Sequence, residues 1–304
     1  MSVDTSVNIA GVCFKNPVTT ASGTFSAKDS GRFYDISRLG AVVTKGVSFE
    51  PWEGNPAPRI AETYGGMLNS IGLQNPGVEK YIEEELPFLS AFNVPVIANA
   101  AGKSIAGYLR IVDRLNETQV SMLEINISCP NIKEGGISFG TDAKMAAGLT
   151  KEIKKITKKP LIIKLTPNVT DITEIAKAVE AEGADCVSLI NTLLAMRIDA
   201  RNKKPALTNI MGGLSGPAIK PVALRMVYQV RRAVKIPVIG MGGIMTGEDA
   251  AEFLMAGANA VSVGTVALVN PTAPVDIIEE LKKLMEEQGF NTINEMREAF
   301  GERE

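Results

Sequence analysis

The chain has 304 residues, of which 45% are hydrophobic and 22% charged, as in ordinary soluble proteins with one large domain or two smaller ones. The net charge of −2 gives no indication of nucleic-acid or membrane-surface binding, and no apolar run approaches the roughly 18–20 residues that span a bilayer. The absence of histidine excludes Ser-His-Asp and Cys-His catalytic machinery and histidine-ligated metal sites.

The three cysteines are widely spaced and include no CxxC pair. This usage argues against a disulfide framework and against a zinc or iron–sulfur cluster held by the chain itself. The first four residues lack the basic start and apolar core of a signal peptide. We therefore expect a cytoplasmic protein without a resident metal.

The first predicted element is a short hairpin, with strands at 7–9 and 12–14 and a turn at Ala10-Gly11. Eight apolar runs follow, at 18–21, 41–45, 95–99, 122–127, 161–165, 186–191, 237–241 and 260–264. Near-continuous hydrophobic runs of this length are typical of parallel strands buried on both faces. Amphipathic segments between them predict helices at 142–157, from 170–174 onward, and at 217–234, 246–256 and 274–287.

Two phrases recur where strands begin. A helix end followed by Gly-Ala precedes the strand at 39–43, 182–187 and 256–261, and a proline leads the strand at 94–97, 159–162 and 236–239. These degenerate repeats indicate one βα unit used many times. They predict an α/β fold, a (β/α)8 TIM barrel forming a single domain over 1–304, with an open doubly wound sheet as the alternative. The stretch 46–73 is too long for an ordinary loop and predicts a functional insertion over the barrel mouth.

The predicted strands end in polar residues or glycine, where a barrel of this kind carries its chemistry. In chain order the ends are Ser22-Gly23, Lys45-Gly46, Asn99, Asn126 with Ser128-Cys129, Lys164, Asn191-Thr192, Gly242-Gly243 and Gly264-Thr265. An amine at the end of a buried strand is costly unless it faces an anion. Lys45 and Lys164 are therefore candidates to pair with a substrate carboxylate or a reduced cofactor.

Glycine turns follow the last two strands, and in barrels this pair of loops often binds a phosphate. No G-x-G-x-x-G motif supports a dinucleotide site, so a mononucleotide such as FMN fits better. The asparagine-rich stretch 69–76 is either a turn before a helix or a binding segment for a planar polar ring. Among the cysteines, Cys129 follows a strand in a glycine-rich loop and is the candidate for chemistry, whereas Cys13 and Cys186 are expected to pack.

Together these motifs resemble the class 1 dihydroorotate dehydrogenases, the soluble FMN enzymes of pyrimidine synthesis. The matching segments span nearly the whole chain, at 20–24, 43–46, 54–59, 69–76, 97–99, 126–131 (Asn-Ile-Ser-Cys-Pro-Asn), 163–165 and 240–244. Gly-Leu-Gln-Asn-Pro-Gly at 72–77 and Glu-Thr at 62–63 resemble subtype 1B. In that subtype a second subunit carries FAD and a [2Fe–2S] cluster and passes electrons to NAD.

The resemblance implies that Cys129 is the catalytic base. It implies substrate contacts from Lys45, Asn69, Ile71, Gly72, Leu73, Asn126, Asn131, Asn191 and Thr192. It implies FMN contacts from Ser22, Lys45, Gly46, Asn99, Asn126, Lys164, Ile190, Gly216, Gly242, Gly243, Gly264 and Thr265. It also implies a homodimer and, with the FAD/[2Fe–2S] subunit, a heterotetramer.

The expected chemistry agrees with these residue types. Oxidation of (S)-dihydroorotate to orotate removes a proton from C5, for which a thiolate is a workable base, and a hydride from C6, which passes to flavin N5. Lys164 would offset the charge that develops near N1 and O2.

The alternatives are a dihydropyrimidine dehydrogenase-type subunit, a fumarate-linked class 1A-like enzyme and a non-catalytic barrel. Asn131 favours dihydroorotate, because the dihydropyrimidine enzymes tend to have histidine at that position.

Overall fold

A ring of eight parallel strands forms the centre of the protein, whose computed structural model describes residues 3–128 and 139–301. In these residues the strands are β1 (Val7–Ile9), β2 (Val12–Phe14), β3 (Val18–Thr20), β4 (Val42–Val43), β5 (Ile60–Thr63), β6 (Gly66–Asn69), β7 (Val96–Ala100), β8 (Met122–Asn126), β9 (Leu161–Lys164), β10 (Cys186–Leu189), β11 (Leu193–Met196), β12 (Ile198–Asp199), β13 (Lys204–Pro205), β14 (Met211–Ser215), β15 (Val238–Met241) and β16 (Ala260–Val263).

The ring runs β3-β16-β15-β10-β9-β8-β7-β4. It closes between its two end strands, because Thr19 and Ala41 form a parallel bridge and the Gly40 N–H donates to the Val18 carbonyl at 2.9 Å. All eight predicted strands are present, and the barrel prediction is confirmed.

Helices cover the outside of the ring. In the described residues the α-helices are α1 (Ala27–Ser30), α2 (Val78–Lys80), α3 (Leu86–Leu89), α4 (Ile105–Asn116), α5 (Ala143–Ile156), α6 (Ile172–Ala181), α7 (Lys220–Ala233), α8 (Gly247–Met255), α9 (Ala273–Gln288) and α10 (Ile293–Glu298). A π-helical turn, Tyr81–Glu85, separates α2 from α3, and 3-10 turns lie at Ile36–Arg38, Pro217–Ile219 and Thr265–Leu268. No helix of the described residues is long and apolar enough to cross a membrane.

Side-chain caps start the helices where the sequence predicts them. Asp142 accepts a hydrogen bond from the Met145 N–H at the start of α5, and Asp171 accepts one from the Thr173 N–H at the start of α6. The predicted helix at 217–234 is divided in the structure, because its first turn is 3-10 and α7 begins only at Lys220. These helices pack against the outside of the barrel, whose register is set by the pairing of its strands.

The hairpin β1–β2 closes the amino-terminal end of the barrel. Ile9 and Phe14 are fully buried and pack in one cluster with inward-facing residues of the barrel strands. Cys186 belongs to this cluster, as predicted. Cys13 is exposed instead, because alternate residues of a strand face opposite sides and its neighbour Phe14 faces the barrel. The expectation that Cys13 packs is therefore wrong.

A four-stranded antiparallel sheet, ordered β11-β14-β6-β5, lies beside the opposite end of the barrel. The predicted insertion at 46–73 supplies β5 and β6. The other two strands, β11 and β14, come from 193–215, where the sequence predicts no strand. Gly213 pairs with Asn69 across β14 and β6, so two distant segments of the chain form one wall.

Candidate functional site

A cavity of about 430 Å³ opens at the carboxyl ends of the barrel strands, bordered on one side by the four-stranded sheet. Its size is in the usual range for a small-ligand or cofactor site. Most of the predicted site residues line it: Ser22, Lys45, Asn69, Ile71, Gly72, Leu73, Asn126, Lys164, Ile190, Asn191, Thr192, Gly216, Gly242, Gly243, Gly264 and Thr265. Because the carboxyl ends of the barrel strands meet at this edge, the cavity brings together residues that are up to 243 positions apart, from Ser22 to Thr265.

Two predicted site residues that the structure describes, Gly46 and Asn99, are not among those that line the cavity. Asn99 is fully buried, and it packs against Gly46, where a Cβ atom would lie only 2.6 Å from the Asn99 Oδ1. This Oδ1 accepts no hydrogen bond from the described residues. Cys129 and Asn131 lie outside the described residues, so their predicted roles stay predictions.

The inward face of the barrel changes character along its strands. At the lower level, the inward residues Ile97, Met122, Ile162 and Cys186 belong to the apolar cluster that the hairpin covers. Two residues later on the same strands the chain has Asn99, Glu124, Lys164 and Ser188. Because side chains alternate with a period of two, both sets point into the barrel. The apolar plug therefore ends where a buried polar layer begins.

Glu124 lies at the centre of this polar layer with its side chain 1% exposed. Its Oε1 accepts a hydrogen bond from Asn99 Nδ2 at 2.6 Å and lies 3.6 Å from Lys164 Nζ. Its Oε2 accepts one from Ser188 Oγ at 2.7 Å. Sequence reasoning did not assign Glu124 to the site, although its place between inward-facing Met122 and Asn126 contains the signal.

Lys164 is the member of this polar layer that also lines the cavity. Its Nζ donates to Ser22 Oγ at 3.2 Å, and both residues line the cavity. Glu124 is the carboxylate within ion-pair distance of Lys164 in the described residues. A buried ammonium held in this way presents positive charge to a ligand at little reorganisation cost.

Asn126 is oriented by three neighbours. Its Oδ1 accepts hydrogen bonds from the Ser128 N–H at 3.1 Å and from Asn191 Nδ2 at 3.4 Å, and its carbonyl accepts one from the Tyr108 hydroxyl at 2.8 Å. The Asn126 Nδ2 has no acceptor among the described residues. The amide therefore offers a donor to a ligand in the cavity.

Lys45 is half-buried and makes no ion pair or hydrogen bond with the described residues. Burial lowers the pKa of Lys45, the positive charge of Arg59 lowers it further, and Glu85 opposes the shift. Arg59 is itself held by Gln74, whose Oε1 accepts from its Nη2 at 2.6 Å. Two cations near one wall of the cavity suit an anionic ligand.

The segment 69–73 adds main-chain donors to the same wall. The N–H groups of Ile71, Gly72 and Leu73 have no acceptor among the described residues. Asn75 anchors the segment from behind, because its Oδ1 accepts from the Ser48 N–H at 3.0 Å and its Nδ2 donates to the Leu73 carbonyl at 2.7 Å. Three consecutive free donors fit a carboxylate or a carbonyl-rich ring.

The two late glycine loops form the other side of the cavity. The N–H groups of Gly243, Ile244, Gly264 and Thr265 have no acceptor among the described residues. Gly243 has φ of 79°, and a Cβ atom there would lie 2.8 Å from the Lys220 nitrogen, so another residue would strain this turn. Fixed, unpaired N–H groups of this kind are suited to a phosphate.

The loop after β15 is held from outside by one carboxylate. Asp249 accepts from the Met245 N–H at 2.7 Å and pairs with Lys220 at 2.6 Å. Burial is the largest single influence on Asp249 and opposes its ionisation. The hydrogen bonds from Lys220, Met245 and Thr246 and the positive charge of Lys220 together outweigh burial, so the pKa of Asp249 is lowered. Among the described residues no group of three or more Cys, Asp or Glu side chains is placed to bind a metal ion.

The chain is similar to known proteins over most of its length. The family model described as dihydroorotate dehydrogenase matches residues 5–285. The chain belongs to the dihydroorotate dehydrogenase family. The resemblance seen in the motifs is thereby confirmed, and it extends over most of the chain rather than over the site alone.

Full-length relatives share one name. Proteins from Alkaliphilus metalliredigens and Lachnoclostridium phytofermentans are 60% and 58% identical, each over 97% of this chain and 98% of the relative. A protein from a Geobacillus strain is 53% identical over 95% of this chain and 93% of its own length. Each is called the catalytic subunit of dihydroorotate dehydrogenase B (NAD(+)). The similarity to family members thus covers both the barrel and the sheet beside the cavity.

Proposed function

We propose that this chain is the catalytic subunit of an NAD-linked dihydroorotate dehydrogenase, which oxidises (S)-dihydroorotate to orotate in pyrimidine biosynthesis. The observation that carries the proposal is the 60% identity over 97% of the chain to a relative of that name. The cavity supports it, because cations, free amide donors and glycine loops surround one volume of about 430 Å³.

FMN is the cofactor that the site residues fit. The unpaired N–H groups of Gly243, Ile244, Gly264 and Thr265 would hold its phosphate. Ser22, Lys45, Gly46, Asn99, Asn126, Lys164, Ile190, Gly216 and Gly242 would complete the site. FMN, when bound, supplies the acceptor for the hydride that leaves C6. The orphaned Oδ1 of buried Asn99 is consistent with a polar group in this region.

The substrate would lie on the wall formed by Lys45 and the segment 69–73. The ammonium and the free N–H groups of Ile71, Gly72 and Leu73 would bind its carboxylate and ring oxygens. Amide and hydroxyl groups would fix the orientation of the ring, from Asn69, Asn126, Asn131, Asn191 and Thr192. Such positioning keeps C5 and C6 in place while their bonds to hydrogen break.

Cys129 is proposed as the base that takes the C5 proton. Formation of the C5–C6 double bond requires loss of this proton together with the C6 hydride, and the chain has no histidine to accept it. A thiolate can serve because it is both basic and compact. The proposal for Cys129 depends on the family resemblance and on this chemistry.

The proposed assembly needs a partner. We propose a single catalytic domain over residues 1–304, a homodimer of this chain, and a heterotetramer with a subunit that carries FAD and a [2Fe–2S] cluster and delivers electrons to NAD. The sequence has no G-x-G-x-x-G motif and no cysteine cluster, so we expect the chain alone to reduce NAD poorly.

Anaerobic stopped-flow mixing of the purified chain with dihydroorotate tests the proposal. Bleaching of the flavin absorbance should follow mixing, and dihydrouracil should not cause it. Reduction by dihydrouracil alone would favour the dihydropyrimidine alternative, and a colourless protein would favour a non-catalytic barrel. NAD, fumarate and quinone are then compared as oxidants; rapid turnover with fumarate by the lone chain would contradict the NAD-linked assignment.

A further inference from the structure

The barrel interior contains a carboxylate that the proposed mechanism does not use. Glu124 lies on β8 among the inward residues and does not line the cavity. It therefore touches neither the proposed cofactor nor the substrate. Burial of a carboxylate is unfavourable unless the charge is paired and hydrogen-bonded, so its presence in the centre of the barrel requires a compensating arrangement.

That arrangement is complete on both oxygens. Asn99 Nδ2 donates to Oε1 at 2.6 Å, and Ser188 Oγ donates to Oε2 at 2.7 Å. These two contacts come from β7 and β10, on opposite sides of β8, so the carboxylate cannot rotate without losing one of them. The remaining contact is the 3.6 Å approach of Lys164 Nζ to Oε1.

The pair has a direction. Lys164 lines the cavity and donates to Ser22, another cavity residue, while Glu124 lies behind it. The positive end of the pair thus faces the cavity and the negative end faces the barrel interior. Packing alone does not require this: one level lower on β8 an inward Met122 fills the same kind of space.

We infer that Glu124 is a positioning residue, which holds the Lys164 ammonium in place against the flavin and thereby sets the reduction potential of the bound cofactor. The inference rests on the proposed function, because it requires FMN in the cavity. Without its counter-ion the buried Lys164 ammonium is unfavourable and is no longer held at the cavity. The site then loses positive charge, which destabilises reduced flavin relative to oxidised flavin.

The test is the midpoint potential of FMN in the purified holoprotein, measured by spectroelectrochemistry. Glu124→Gln keeps the shape of the side chain and removes its charge. We expect at least a tenfold loss in the preference for reduced over oxidised flavin, which is a fall of about 30 mV for a two-electron couple. Ser188→Ala is the matched control: it removes one hydrogen bond from the same carboxylate, keeps both charges and should leave the potential unchanged.

A double variant separates action through Lys164 from other effects. Lys164→Gln should lower the potential, and adding Glu124→Gln to it should cause no further shift, because Glu124 then has no ammonium to position. This comparison also serves if Glu124→Gln alone does not fold, since the double variant contains no unpaired charge. An additional shift in the double variant would overturn the inference.

The other outcomes are equally decisive. An unchanged potential in Glu124→Gln, accompanied only by a lower melting temperature, would assign Glu124 to stability alone. A higher potential would show that the carboxylate acts by its own field and not through Lys164. Failure of the proposed function itself is distinct, because the unmodified protein would then contain no flavin to titrate.

Discussion

The two ends of the barrel interior are built from the same strands but differ in character, because the lower end is apolar and the upper end is polar and charged. At the lower end, Ile97, Met122 and Ile162 join the hairpin residues Ile9 and Phe14 in a buried hydrophobic cluster. One inward position higher, the chain places Asn99, Glu124 and Lys164, whose burial depends on hydrogen bonds and charge pairing. Apolar burial at the lower end stabilises the folded protein, whereas the burial of charges at the upper end costs part of that stability.

The largest expected effect is that of removing the proposed base. Cys129→Ala should retain yellow flavin but slow flavin reduction by dihydroorotate about 10²–10⁴-fold at neutral pH, the usual contribution of a positioned base. Cys129→Ser should recover activity only at higher pH, because a hydroxyl gives up its proton less readily than a thiol. Anaerobic stopped-flow absorbance measures both, and reduction at the unmodified rate by the alanine variant would remove Cys129 from the mechanism.

At the lower end the expected effect is on stability. Phe14→Ala removes a fully buried ring from the plug and should reduce the free energy of unfolding by about 3–5 kcal/mol. Urea denaturation followed by fluorescence measures it. Cys13→Ser is the neighbouring control: Cys13 is exposed, so a change within about 0.5 kcal/mol is expected. Equal losses in both variants would show that the hairpin does not plug the barrel as described.

The conformation of the glycine loops is a local property of the backbone, whereas their proposed role is to bind a ligand. Gly243→Ala introduces a Cβ atom 2.8 Å from the Lys220 backbone at a φ of 79° and should weaken FMN binding at least tenfold. Gly148→Ala in α5 is the matched control. A Cβ there meets nothing within 4 Å, so the protein should gain about 0.5–1 kcal/mol and keep its FMN affinity. Fluorescence titration with FMN measures the affinity of both variants, and unchanged affinity in the Gly243 variant would contradict the phosphate assignment.

The smallest expected effect concerns pH. Because the pKa of Lys45 is lowered by burial and by Arg59, this lysine loses its proton at a lower pH than an exposed lysine. Only the protonated form attracts an anion, so the Kd for orotate should rise as pH increases through this lowered value, by at most tenfold per pH unit. Lys45→Arg should remove that rise, because arginine stays protonated. A pH-independent Kd in the unmodified protein would exclude Lys45 from binding the substrate carboxylate.

Much of the fold was predictable because barrel strands appear in the sequence as short apolar runs. The apolar runs are buried on both sides, and the polar strand ends meet at one edge, so Lys45 and Asn191 could be placed in one cavity from order alone. The sequence did not predict the strand β14, because glycines such as Gly212 and Gly213 are unfavourable inside a strand. Only the wall opposite them shows why glycine is needed: a Cβ at Gly213 would lie 2.0 Å from Thr192 Oγ1.

Glu124 was missed for a different reason. A strand buried on both faces was read as a continuous apolar run, and this reading treats a single charged residue as a minor interruption. The inward alternation Met122, Glu124, Asn126 contains the change from plug to site, but it is decisive only when the partners on other strands are known. Asn99 and Ser188 are 25 and 64 residues away, and no local pattern links them to Glu124.

The four-stranded sheet beside the cavity also constrains the order in which the protein can fold. Asn69 is held on β6 by β14, where its Nδ2 donates to the Gly213 carbonyl 144 residues later. Contacts between such distant segments form only after the intervening chain has closed a long loop, which slows their formation. A fragment that contains only the first half of the barrel has every residue of the Lys45 wall in its sequence and still lacks the strand that holds Asn69. Binding at the complete cavity therefore requires both halves to have met, and its recovery during refolding reports that step of assembly.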